Sequence, residues 1–122
     1  MIPKTNNLAA YIILNSMASV DLDFEECEGE TFFSSLEKHN LIPSEEEITS
    51  YMNAIGDSGD SAYTYEGVLH LASGSIDFIK TQDPSISQLV FSLAEEVAGA
   101  DGIAHPNETA FLNLLKQQWK IN

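Results

Sequence analysis

Two acidic pairs in the sequence have a spacing that could do chemistry. In "VAGADGIAHPNE" (97–108), Asp101 precedes Glu108 by seven residues. In "MASVDLDFEECE" (17–28), Asp21 precedes Glu28 by the same interval. The stretches align without a gap at an offset of 80 residues, each with an alanine three before the Asp and a non-polar residue three after it. Oxygen-rich clusters of this kind suit a hard divalent cation such as calcium or magnesium. Paired carboxylates can also share acid–base work where a cleft pushes their pKa values apart. A third reading needs no ligand. Here Pro106 opens a helix behind a His105 cap, and Glu108 in the first turn reaches back to the cap's N–H.

Asp101 is harder to explain by capping. It follows a helix whose C-terminal dipole disfavours a negative charge by roughly 0.3–1 kcal/mol, and Glu95 and Glu96 add repulsion. Asp21 also follows a helix, with Asp23, Glu25, Glu26, Glu28 and Glu30 behind it. A bound cation relieves such crowding, and so does ordinary solvation of surface acids. The candidate metal ligands are Asp21, Glu28, Asp101 and Glu108. Neither stretch is an EF-hand. Counted from Asp21, the sixth position is Glu26 rather than glycine and the twelfth is Phe32 rather than glutamate; counted from Asp101, the third and fifth are Ile103 and His105.

The elements that must position these acids read as helices. Ile86, Leu89, Val90, Leu93, Ala94 and Val97 form an apolar stripe behind an Asp83-Pro84 start, predicting a helix to about Ala100 closed by Gly102. Phe111, Leu112, Leu114 and Leu115 carry the next helix to about Trp119. At the other end, Leu8, Tyr11, Ile12, Leu14 and Met17 mark a first helix capped within Thr5 to Asn7. A short one begins near Glu28 with Phe32, Phe33 and Leu36. Ser44 and Glu47 form a capping box for a third, which ends near Gly56 before the "GDSGDS" loop. Val68, Leu69, Leu71, Ala72, Ile76 and Ile79 carry another from Tyr65 to Thr81, with Gly74 as a point of kinking or close contact. No segment shows sustained period-two alternation. The expectation is an all-α bundle of about six helices, one domain over 1–122, built from two related helical-hairpin halves.

Composition narrows the function classes. Nineteen acidic residues against five lysines and no arginine give a formal net charge of −14. Phosphate backbones and anionic membranes are therefore disfavoured partners, whereas cations and basic protein surfaces are favoured. A single cysteine, Cys27, excludes an internal disulfide and fits a reducing compartment. "MIPKTNN" lacks the features of a signal peptide, and no apolar run reaches the roughly 18 residues of a membrane span. A cytoplasmic location, as a monomer or weak homodimer, is expected. Enzyme signatures are missing. There is no phosphate-binding glycine loop, nucleophile elbow or HExxH; Cys27 sits among acids that blunt it; and Ser58 in "GDSGD" lacks the context of a carrier-protein serine. His39, His70 and His105 are scattered, with His70 expected to be partly buried on its helix. Tyr63, Tyr65 and Trp119 read as packing aromatics.

"LAEEVAGADGIAHPNETAFLNLL" resembles the signature of the TerB-like (tellurite resistance) domain family: an Ala/Val-rich helix, Asp-Gly, an apolar residue, a cap, proline and glutamate, then another helix. "IILNSMASVDLDFEECEGETFFSSL" looks like a diverged first copy, and together they cover about 50 residues. The resemblance implies an all-helical fold of two related halves, association with tellurite or other chemical stress, and a divalent-cation site at Asp21, Glu28, Asp101 and Glu108. Leu22 stands where the motif has glycine, His105 replaces its small polar cap, and the lysine-rich face of the family is nearly absent. Beside this non-enzymatic, cation-binding expectation stands another from charge alone: an acidic interaction or inhibitor protein whose carboxylates dock on a basic partner.

Overall fold

The computed structural model describes residues 3, 5–19, 34–58, 64–99 and 106–121, and among them every regular element is a helix. The helices are α1 (Asn6–Ser19), α2 (the helical residues 34–38), α3 (Glu45–Ser58), α4 (Tyr65–Lys80), α5 (Pro84–Ala98) and α6 (Pro106–Gln118).

α1 is the centre. Its expected one-sided stripe is too narrow a description, because Ala9, Ala10, Ile12, Ile13, Leu14 and Met17 are all fully buried. A helix apolar on every side must be enveloped, and α4 and α5 pack along it while α3 and α6 complete the shell. Two polar contacts sit at its start and within it. Leu8 N donates to Thr5 Oγ1 (3.2 Å), and Ser16 Oγ donates to the Ile12 carbonyl (2.7 Å). One continuous core draws side chains from all six helices.

The starts follow the sequence signals. Ser44 N donates to Glu47 Oε1 (3.1 Å) while Glu47 N donates to Ser44 Oγ (3.2 Å), the reciprocal pair of a capping box. Thr64 caps α4 through Gly67 N (3.0 Å), and Asp83 caps α5 through Ser85 N (2.9 Å), with Pro84 in the first turn. α4 continues through Gly74 as one helix.

Three helix ends were less legible. α5 stops at Ala98, earlier than expected. Gly99 is the cap, with ordinary φ of −92° and its N–H on the Glu95 carbonyl (3.0 Å); Gly102 lies outside the described residues. α2 and α6 close without glycine, each with a left-handed residue: Asn40 (φ 56°) and Lys120 (φ 54°). In both, the following N–H reaches back five residues, Leu41 to Leu36 (2.8 Å) and Ile121 to Lys116 (3.0 Å).

α3 is attached mainly to α1. Tyr51 is buried edge-on against Tyr11, with ring centres 5.8 Å apart and planes at 86°. The Tyr51 hydroxyl accepts from Asn15 Nδ2 (2.9 Å), and burial pushes its phenol above the ordinary range. The Thr5 hydroxyl donates to Glu47, joining the starts of both helices.

Candidate functional site

Of the four expected ligands, Glu108 is the one the structure describes. Asp21, Glu28 and Asp101 lie outside the described residues, as do Cys27, residues 59–63 and His105, the residue expected to cap the last helix. Glu108 sits in the first turn of α6, three residues before Phe111 and seven before Leu115. The three form that helix's buried face. Its side chain is only 2% exposed, and both carboxylate oxygens are sealed from solvent. A capping glutamate at a helix start is ordinarily on the solvent rim. Here the 3.6-residue period turns this one toward the core, beside the positive end of the helix dipole. Burying a carboxylate is costly unless a partner or positive field compensates it, so this position is chemically set apart from the other acids.

The helices flanking the two acidic segments are joined. Ser35, in the helix that follows the first segment, is buried, and its hydroxyl donates to Glu96 Oε2 (2.8 Å) in the last turn of α5. Ser35 lies seven residues after Glu28, and Glu96 lies five before Asp101. One hydrogen bond thus joins α2, which follows the first segment in sequence, to the last turn of α5, which precedes the second. α1, which leads into the first segment, packs along α5, which leads into the second. Sequence could not foretell this contact, because serine in a short helix carries no distinctive signal.

Among the described residues, no three histidine, cysteine or acidic side chains gather to hold a metal ion. His39 is exposed. His70 is also exposed, correcting the expectation of partial burial: α4 buries Val68, Leu71, Ala72, Ser75, Ile76 and Ile79, and position 70 falls on the opposite side. Instead His70 lines an open cavity of about 350 Å³ with Ser73, Asp77 and Leu114. A wider groove of about 770 Å³ adjoins it between α4 and α6, with Tyr65, Leu69, Leu114 and Ile121 along its floor. Leu69 and Leu114, apolar positions of their helices in the sequence, are half-buried there and pack against the core. Trp119 is a packing residue, as its sequence context suggested. It is buried, and its Nε1 donates to the Ile76 carbonyl (3.0 Å).

No described helix is long and apolar enough to cross a membrane. Comparison with protein-family models, curated proteins and solved structures finds no significant match to this chain.

Proposed function

We propose that this chain is a small, non-enzymatic, TerB-like cytoplasmic domain in which Asp21, Glu28, Asp101 and Glu108 together hold one divalent cation, calcium or magnesium. The observation that carries the reading is Glu108: a carboxylate withdrawn from water immediately after the second acidic segment. Hard cations take carboxylate oxygens, and partial burial raises the strength of each contact by lowering the local dielectric. The Ser35–Glu96 bond supports a shared site, since it holds the flanks of both segments against one another. Association with tellurite or other chemical stress follows from the same family resemblance and belongs to the same proposal.

The test is a thermal melt in low salt with added calcium or magnesium, matched in ionic strength with sodium chloride. A native-state site raises stability by RT ln(1 + [L]/Kd), about 2.7 kcal/mol at a hundredfold excess over Kd. Asp21→Asn, Asp101→Asn and Glu108→Gln should each remove most of that gain. A melting temperature indifferent to every divalent ion sinks the proposal.

A further inference from the structure

Lysine is scarce in this chain, five residues against nineteen acids, yet two of the five line one small cavity. Lys80 ends α4 and Lys120 follows α6, and the hollow they share measures about 190 Å³. Gln82, Ser87, Gln118 and Trp119 complete its wall, with Pro84 from the start of α5; among the described residues no acid lines it. A lysine near a helix C-terminus offsets the dipole there, which accounts for either residue singly but not for their convergence. The carbonyls nearby are already supplied. That of Phe78 accepts from the Thr81 hydroxyl (2.7 Å) and Gln82 Nε2 (3.4 Å), and that of Lys116 accepts from Ile121 N (3.0 Å). Among the described residues neither the Lys80 nor the Lys120 ammonium has a hydrogen-bond or ion-pair partner. Asp83, which adjoins in sequence, turns a carboxylate oxygen to the Ser85 amide (2.9 Å). Lys120 also keeps its side chain at a left-handed φ of 54°, where glycine is less strained.

We propose that this cavity binds the phosphate group of a small molecule between Lys80 and Lys120. Charge sets the class. A phosphate monoester carries about −1.5 to −2 at pH 7 and so matches two ammonium groups, whereas a carboxylate carries one charge and leaves a lysine uncompensated. Lysine serves phosphate as a point charge and needs no arginine fork. The Gln82 and Gln118 amides add polar groups to the wall. Size sets the scale: about 190 Å³ lies below the roughly 300–1,000 Å³ of drug-sized ligand sites, so the occupant is small. A net charge of −14 opposes nucleic acid, which needs a row of cations, but one phosphate needs only the pair. The site is independent of whether the acidic segments hold a cation.

The test titrates inorganic phosphate into the full chain at neutral pH without divalent ions, against chloride and acetate at matched ionic strength. Trp119, the sole tryptophan, lines the cavity and reports by fluorescence, while amide NMR locates the response. Phosphate should give a saturable change with Kd on the order of 10 mM or tighter, and amide shifts centred on residues 80–87 and 116–121. Chloride and acetate should not saturate. Lys80→Gln and Lys120→Gln should each weaken phosphate about fivefold or more, the loss of one charge-assisted contact discounted for exposure. Lys38→Gln should leave the affinity within about twofold. It lies on α2, whose Ser35 bonds Glu96, twelve residues along α5 from Pro84 and so roughly 18 Å from the cavity end. All three lysines are exposed, so folding is preserved and is checked by circular dichroism. A response to phosphate no different from that to chloride or acetate, shifts centred elsewhere, or an affinity untouched by Lys80→Gln or Lys120→Gln would each overturn the proposal.

Discussion

Replacing Trp119 by phenylalanine tests whether the C-terminal turn is part of the fold or merely follows it. The indole is 7% exposed and bonds the Ile76 carbonyl at 3.0 Å, clamping the end of α6 onto α4. That carbonyl keeps its own intrahelical donor four residues on, so the loss is the net value of one hydrogen bond rather than an orphaned acceptor. The net value is about 1 kcal/mol. The smaller ring also leaves roughly 40 Å² of apolar surface unburied, about 1 kcal/mol more. Trp119→Phe should therefore cost about 2 kcal/mol, and Trp119→Ala about 3–5 kcal/mol. At this chain length 2 kcal/mol corresponds to a fall in Tm of about 6–10 °C, measurable by far-UV circular dichroism. Trp119 is the sole tryptophan, so parent fluorescence gives an independent readout: emission should be blue-shifted and move red on unfolding. A Trp119→Phe variant within about 0.5 kcal/mol of the parent, below the usual net value of a hydrogen bond, would refute the clamp. So would parent emission at the wavelength of free indole.

Three further outcomes follow from local geometry. Lys120 holds a left-handed φ of 54° that strains any side chain, so Lys120→Gly should stabilise by about 0.5–1 kcal/mol in urea unfolding while Lys120→Ala, which keeps the Cβ responsible for the strain, should not. Ser75 is fully buried with its hydroxyl unbonded, so Ser75→Ala should be neutral or stabilising by up to about 1 kcal/mol, against the usual penalty for a core substitution. The carboxyl of Glu47 is held below its ordinary pKa first by the Thr5 hydroxyl and then by the Ser44 amide. A depressed folded value contributes stability above the unfolded pKa and loses it as pH falls through the folded one, so Glu47→Gln should flatten the stability profile below about pH 5 and leave its shape above pH 6 unchanged.

The sequence was most readable where one residue type has one local job. Ser44 with Glu47 and Asp83 with Pro84 announced their helix starts because side-chain oxygens must satisfy first-turn amides nearby, whatever the tertiary fold. Ends closed by Asn40 and Lys120 were not announced, since the left-handed turn is taken by residues other than the glycine that usually signals it. Periodicity found which helices exist but misjudged how deep each face lies. α1 is surrounded although only part of its surface read as a stripe, while Leu69 and Leu114 are only half-buried, packing against the core at the edge of an open groove. The acids posed the opposite difficulty. Glu108 looks like any first-turn glutamate in the sequence, and its burial comes from its place in register with Phe111 and Leu115, a property of the assembled bundle.

That register also decides how the cation proposal must be tested. Glu108 occupies the core face of α6, so Glu108→Gln exchanges a sealed carboxylate for an amide and alters folding stability with no ion present. Its melting temperature alone therefore carries no information about binding. The difference between melts with and without the ion does, because the intrinsic change cancels. Net charge imposes a second requirement. At −14 the folded chain repels itself, and any added salt stabilises it by screening, divalent ions more than sodium at equal concentration. Only a gain that survives matching of ionic strength belongs to a site. A diffuse ion atmosphere responds alike to losing Asp101 or an exposed acid such as Glu66, since both subtract one charge. A site distinguishes them: Asp101→Asn abolishes the calcium-dependent gain, and Glu66→Gln leaves it intact.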